Sequence, residues 1–383
     1  MDEEVPKIKP AFIKTMTEKY GDSLEHAKQI ADSFIQIFLD SVNYGFSLNH
    51  SVPYSYIGYI NAWLRYYYPL EFCTAGLQIW RKDEAKRVKF LDFANRNKIV
   101  ILPSRFGKSK GNYTVLKSKN QIFEGTVGIK GLNETIGNKL YELSNKYTFN
   151  TFTDLLLCIY EPVKNIEVNG KSIPLSEVYT SGDKAYLKEL YNGIKKGTVI
   201  EKTFDLGLDL NKRGMLSLIQ LDYFSMFGNA KKLEMILEHF KQEYNKSRKT
   251  FDANQRAYLE CLDIENDSKI RDYTYADKAR FEFALLGKPR TTIPNIKSMI
   301  AMVLKVNEYS NKVRISVYDM RSGRTAQLFV KKQLFKEQRL EEGSIIIMRN
   351  VAKKPRVVMV DGRWQQSHDK YDYWLTDLVN SNK

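Results

Sequence analysis

The spacing of hydrophobic positions changes period along this chain. Over residues 22–42, DSLEHAKQIADSFIQIFLDSV, Ala27, Ile30, Phe34, Ile37, Phe38 and Val42 recur at helical spacing. Asp22 or Ser23 is the predicted cap, with Glu25 three residues after Asp22 as in a capping box. A second helix is predicted from Ser51, a good N-cap with Pro53 in the first turn, to about Tyr68, where Pro69 stops it. Tyr56, Tyr59, Ile60, Trp63 and Tyr67 fall on one stripe of that helix. Residues 74–115 read as a helix and then a mixed element with the apolar run KIVILP. Residues 124–160 alternate loop and helix, residues 165–208 read as an irregular Gly- and Lys-rich insertion, and residues 211–286 read as largely helical. KPRTTIPNI (288–296) has two prolines and no periodicity, which suits a linker.

Beyond it the period becomes two. MIAMVLKV (299–306), KVRISVYD (312–319), RTAQLFV (324–330), SIIIMRN (344–350) and RVVMV (356–360) are five short β runs separated by turn signals. A helix-like stretch, KKQLFKEQRL, lies between the third and fourth. That count and order fit an OB barrel, with a small β-sandwich as the alternative. The predicted fold is α+β and multidomain: a mostly helical N-terminal two-thirds, then a five-stranded OB-type β-barrel.

Composition adds bounds. The 383 residues suggest two to three domains, and 43% hydrophobic with 13% aromatic residues is enough for real cores. No apolar run reaches the ~20 residues that span a bilayer, so no membrane partner is expected. The N-terminal residues do not read as a signal peptide. Cys73, Cys158 and Cys261 lie far apart and the four histidines are scattered, so a reducing, cytoplasmic chain without a metal site is expected. Net charge is +15, and the first 80 residues are slightly acidic, so the excess sits in the remainder. Such a basic body favours a polyanion, although an ordinary Lys-rich surface gives the same balance.

Two stretches carry candidate chemistry. His50 is expected just ahead of the tyrosine-rich helix, beside free backbone N–H groups and the positive end of the helix dipole, where anions bind. A capped core helix with an incidental histidine is the plain alternative. In KVRISVYD, alternation puts Val313, Ile315 and Val317 on one face and Arg314, Ser316 and Tyr318 on the other, with Lys312, Arg321 and Arg324 flanking. Arg314 and Tyr318 are thereby assigned to an exposed face able to hold single-stranded nucleic acid.

The motif Y-G-F-x-x-x-H-x-x-x-Y (44–54), followed by a helix ending L-R-Y-Y-Y-P-L-E-F (64–72), resembles the late fingers segment of C-family replicative DNA polymerases, the bacterial polymerase III alpha subunits. Tyr44, Gly45, Phe46, His50, Tyr54, Leu64, Tyr68, Pro69, Glu71 and Phe72 match. In family order, ILPSRFGKSKGNYTV (101–115), GTVGIKGLNETIG (125–137), TFNTFTDLL, LSLIQLDYFSMFGNAKK (216–232) and FEFALLGKP (281–289) are each similar to a family element.

The resemblance implies a fingers end (1–115), a helix–hairpin–helix domain (116–290), an OB domain (291–365) and a tail (366–383). It implies incoming-nucleotide contacts from Tyr44, His50 and Arg65. It also implies duplex contacts from main-chain N–H groups around Gly131, Leu132 and Asn133 with Lys130 adding charge. The implied partners are primer–template DNA, single-stranded template, a dNTP and a palm-bearing polymerase chain that would hold the Mg2+ ions. QLF (327–329 and 333–335) is similar to part of a sliding-clamp peptide, which makes the clamp a further candidate partner.

Departures are specific. The family's N-K-S before the histidine is Ser47, Leu48 and Asn49 here, which removes a lysine. Asn133 and Asp222 stand where the family has glycine. No D-x-D pair occurs; Asp205 and Asp209 in DLGLD have three residues between them. The expected activity is therefore a contribution to template-directed synthesis with the palm elsewhere. The rival readings are a non-catalytic DNA-binding accessory protein on the same scaffold, and an unrelated RNA-binding module.

Overall fold

A computed structural model of the chain describes residues 5–41, 48–160, 163–168, 171–181, 183–196, 200–203, 208–245, 250–360 and 363–381. The chain forms two compact units, Met1–Phe72 and Cys73–Lys383.

In the first unit, α1 (Val5–Tyr20) forms although its residues carry no strong apolar period. Gly21, at φ +68°, turns the chain into α2 (Leu24–Ser41), a step that left-handed glycine takes without strain. Ser23 is the cap: its hydroxyl accepts from the His26 N–H at 3.2 Å, and Glu25 has no part in it. Ala27 and Ala31 are buried between α1 and α2, but Phe34 and Ile37 on the expected core stripe are 58% and 65% exposed. Small residues let the two helices approach closely, and the larger ones are left outside. α3 (Leu48–Tyr67) begins three residues earlier than expected, with Pro53 inside it, and residues 52–67 are all exposed.

The second unit begins within α4 (Pro69–Ile79), which crosses α5 (Glu84–Arg96) so closely that a Cβ on Gly76 would lie 2.0 Å from the Phe90 ring. β1 (Val100–Leu102), β2 (Thr114–Leu116) and β3 (Gln121–Phe123) form a sheet of order β1-β3-β2. α6 (Glu134–Lys146) and α7 (Phe152–Tyr160) follow.

The stretch expected to be irregular is ordered where described. β4 (Val163–Val168), β5 (Lys171–Pro174) and β6 (Ile200–Thr203) pair in the order β5-β4-β6 around α8 (Leu175–Thr180) and α9 (Lys184–Lys196). Leu175, Val178, Tyr179, Leu187 and Leu190 reach the main core from it. Its short alternating runs are masked in the sequence by interspersed lysines.

α10 (Lys212–Gln220), α11 (Ala230–Glu243), α12 (Phe251–Asn266) and α13 (Tyr275–Leu286) complete the helical part. Phe106, Phe152, Tyr223, Phe224, Phe240 and Tyr258 fill the core at full or near-full burial. Glu265 of α12 accepts from the Phe152 and Thr153 N–H groups at the start of α7, so a carboxylate satisfies that helix terminus.

The supposed linker is fastened. Glu282 accepts from the Arg290 and Thr291 N–H groups at 2.6 and 2.7 Å, and the Ile293 N–H donates to the Met320 carbonyl at 2.7 Å.

The barrel comprises β7 (Met299–Glu308), β8 (Lys312–Asp319), β9 (Arg324–Lys331), α14 (Lys332–Glu337), β10 (Ile345–Val360) and β11 (Arg363–Asn380). The strands pair in a complete ring of order β10-β11-β9-β8-β7. All pairings are antiparallel except the short β9–β11 seam, Phe329↔Trp374 and Val330↔Leu375. The α+β class and the helix between third and fourth strands agree with expectation.

The fifth strand does not. RVVMV is the far end of β10, and the residues read as a tail are β11. Pro355 suggested a break. It instead sits at a register shift, between Pro355↔Tyr371 and Val357↔Gln366, where a missing N–H is tolerated. Beyond Met348, β10 pairs only with β11, so residues 351–360 and 363–373 make a two-stranded ribbon.

Candidate nucleic-acid interface

On β8 the alternation holds for the core: Val313, Ile315 and Val317 are buried inside the barrel. Lys312 and Arg314 face outward. Arg314 pairs with Phe329, and Phe329 with Trp374, so the three stand on one face across three strands. The Phe329 and Trp374 rings stack at 5.3 Å and 30°. The Lys312 ammonium lies 4.1 Å from the Phe329 centroid, and the Lys354 ammonium 5.0 Å from that of Trp374. The Arg314 guanidinium lies 5.5 Å from the exposed Tyr309 ring, whereas the Lys353–Tyr371 contact, at 3.9 Å, is on the opposite face of the ribbon. This is an aromatic platform bordered by cations. Bases stack on such rings, and phosphates meet the ammonium groups. Sequence reasoning missed Phe329, Trp374, Lys354 and Tyr309, because the pairing that gathers them spans more than sixty residues. The repeated aromatics of KYDYW in the supposed tail were the available signal.

The other expected barrel contacts separate. Tyr318 does point out of the barrel, but α13 covers it. It is 5% exposed and packs with Ala279, Met302, Met320 and Ile345, and burial pushes its phenol up to about 12, with Glu282 and Asp319 adding to the shift. It is unavailable to a strand of nucleic acid. Arg321 and Arg324 are exposed at the other end of the β8–β9 hairpin, about 17 Å along the strand from Arg314. The QLF peptides are largely committed: Leu328 and Phe335 are buried in the barrel core with Leu334 packed beside them, and Phe329 faces outward in the platform. Neither peptide is presented as a clamp ligand.

The hairpin before α6 has the expected turn. Gly131 takes φ +85°, and Asn133 caps α6 by accepting from the Ile136 N–H at 2.9 Å. Two amides are already engaged, since Lys130 N–H donates to the Leu285 carbonyl and Leu132 N–H to that of Ile129. The exposed elements left for a phosphate are the Lys130 side chain, Gly131 and the first turn of α6. Gly125 and Gly137 serve packing: a Cβ on either would come within 2.6 Å of backbone around Gly111. In the second hairpin Asp222 adopts φ +58°, the conformation glycine would take, and its carboxylate is held by Lys278 at 3.0 Å. Lys278 also binds Asp272 at 2.6 Å; burial opposes its charge, but the two carboxylates outweigh this and raise its pKa.

In the first unit, His50 lies inside the first turn of α3 rather than ahead of it. It is exposed, its ring 4.5 Å from that of Tyr54. Arg65 is exposed in the last turn, about 22 Å farther along the helix, so one triphosphate cannot touch both. Tyr44 lies outside the described residues, as does Asp205, while Asp209 is exposed. Among the described residues no three His, Cys, Asp or Glu side chains are grouped to hold a metal ion, and no helix is long and apolar enough to cross a membrane.

No protein-family model matches the chain. Curated proteins do. Over 145 residues the chain is 30% identical to DNA polymerase III subunit alpha of Deinococcus radiodurans, covering 38% of this chain and 10% of that protein. It is 26% identical over 186 residues to the Thermus aquaticus subunit, covering 48% and 15%. It is 25% identical over 252 residues to that of Staphylococcus epidermidis, covering 63% and 22%. The chain thus spans less than a quarter of the length of these relatives.

Proposed function

From the premise that this chain is related to the C-terminal region of bacterial DNA polymerase III alpha subunits, we propose that it holds primed DNA and presents nucleotide contacts for template-directed synthesis. In this reading residues 1–115 are the end of a fingers domain, residues 116–290 a helix–hairpin–helix domain and the barrel an OB domain. The carboxylates and Mg2+ ions that activate a primer 3′ hydroxyl come from a palm outside these 383 residues. The barrel holds single-stranded template, and the hairpins at Gly131 and Asp222 lie along duplex backbone. His50 meets the phosphates of an incoming nucleotide.

The observation that carries the reading is the stacked Phe329–Trp374 pair with Lys312, Arg314 and Lys354 around it. Base–aromatic stacking contributes roughly 1–3 kcal/mol per base, so Trp374→Ala is expected to weaken single-stranded DNA binding about 5- to 150-fold by fluorescence anisotropy. Unchanged affinity would remove the barrel from the interface.

A non-catalytic accessory role is the second reading. It is favoured by the Asp222 carboxylate, which places negative charge in the second hairpin, and by the engaged Lys130 and Leu132 amides. His50→Ala separates the two. With a palm-bearing partner present, the nucleotide KM is expected to rise several-fold while DNA affinity holds; an unchanged KM selects the accessory role.

A further inference from the structure

A cavity of about 390 Å³ opens between α5, the loop around Gly125 and the segment after α13. Four cations line it: Arg81, Arg87, Lys288 and Arg290. Two carboxylates, Glu84 and Glu124, answer them. Arg87 is buried and gripped by both Glu84 oxygens at 3.1 and 3.0 Å. Arg290 is ion-paired with Glu124. Both carboxylates are therefore committed. Among the described residues no hydrogen bond or ion pair is made by the side chain of Arg81 or Lys288.

Lys288 is the most telling of these groups. Burial removes its water, and Arg87 and Arg290 repel it. Glu84 and Glu124 relieve this only in part, and its pKa falls to about 8. The cavity is thus short of negative charge. Gly128 lines the same space, and a Cβ there would meet nothing within 4 Å. Nothing in the packing or backbone conformation at that position opposes a larger residue.

We propose that this cavity is an anion site that takes a compact phosphate group, pyrophosphate or the phosphate tail of a nucleotide, between Arg81, Lys288 and the Glu84-braced Arg87. Its volume suits a small ligand, and the guanidinium and ammonium donors match phosphate oxygens. The site stands independently of the polymerase reading. The same chemistry is offered by a free polyphosphate and by a phosphate of a nucleic-acid strand.

Titration of the full chain with sodium pyrophosphate, followed calorimetrically, tests this. One equivalent is expected to bind. Lys288→Ala and Arg81→Ala should each lose at least tenfold in affinity with an unaltered circular dichroism spectrum. Gly128→Val, which narrows the cavity without touching its charge, should show a similar loss. Lys288 is faced there by Arg81, Glu84 and Arg87, by Glu124 and Tyr113, and by Arg290 of its own segment. No heat with the unmodified chain, or affinity within twofold in both alanine variants, overturns the site. An oligonucleotide that displaces pyrophosphate and itself binds more weakly to Lys288→Ala identifies a strand phosphate as the source. One that binds without displacing it identifies a free anion. Either result leaves the site standing.

Discussion

Tyr318 shows how one residue's role turns on its neighbours. Its parity on β8 points it away from the barrel, as alternation requires, yet α13 closes over it. The buried phenol resists ionisation until about pH 12, whereas an unfolded tyrosine loses its proton near 10. The unfolded chain therefore releases a proton that the folded chain keeps. This stabilising difference is fully present below pH 10 and disappears as pH rises through 12. Tyr318→Phe is expected to flatten the fall in denaturant midpoint between pH 10 and 12; an equally steep fall in the variant would assign it to other groups. His50 makes the complementary point. Its exposure is compatible with a ligand role, but the helix starts earlier than its best cap suggested, so the histidine belongs to the first turn itself.

At the scale of elements, β11 is the decisive case. Residues 363–380 complete the ring by pairing with β10 and, through two residues, with β9. Leu375 and Leu378 are buried in the barrel core. Ending the chain at residue 362 is thus expected to abolish cooperative unfolding of the barrel and expose residues 299–360 to protease, whereas loss of a mere tail would change neither. Helices α2 and α3, the α6 hairpin and strands β7 to β9 were legible, because their periodicity and turn residues are local. The sheet of β4, β5 and β6 and the continuation of β10 past Pro355 were not. Their short runs acquire meaning only from a partner strand, and propensity is weak beside that context.

For the whole molecule, the uneven charge becomes a surface argument. The net +15 favours a polyanion partner without saying where it sits. Lys312, Arg314 and Lys354 gather near the aromatic platform, while Lys353, on the opposite face of the ribbon, and Arg321 and Arg324 stand apart. Three phosphate contacts would give log affinity for single-stranded DNA a slope of roughly −2 against log salt, and Lys312→Ala should make it shallower by about 0.7. A flat dependence would count against nucleic acid at this face.

The residues alone determined the α+β class, the barrel's helix between third and fourth strands, the basic balance and the likeness to the polymerase alpha subunits. Each of these rests on local period, turn chemistry or motif spacing. Tertiary structure alone decided which basic and aromatic side chains share a surface, that Tyr318, Leu328 and Phe335 are occupied in packing, and that Arg81 and Lys288 converge on a cavity short of negative charge. Those facts depend on strand register and helix packing between residues far apart in the chain, and no local pattern encodes distances of that kind.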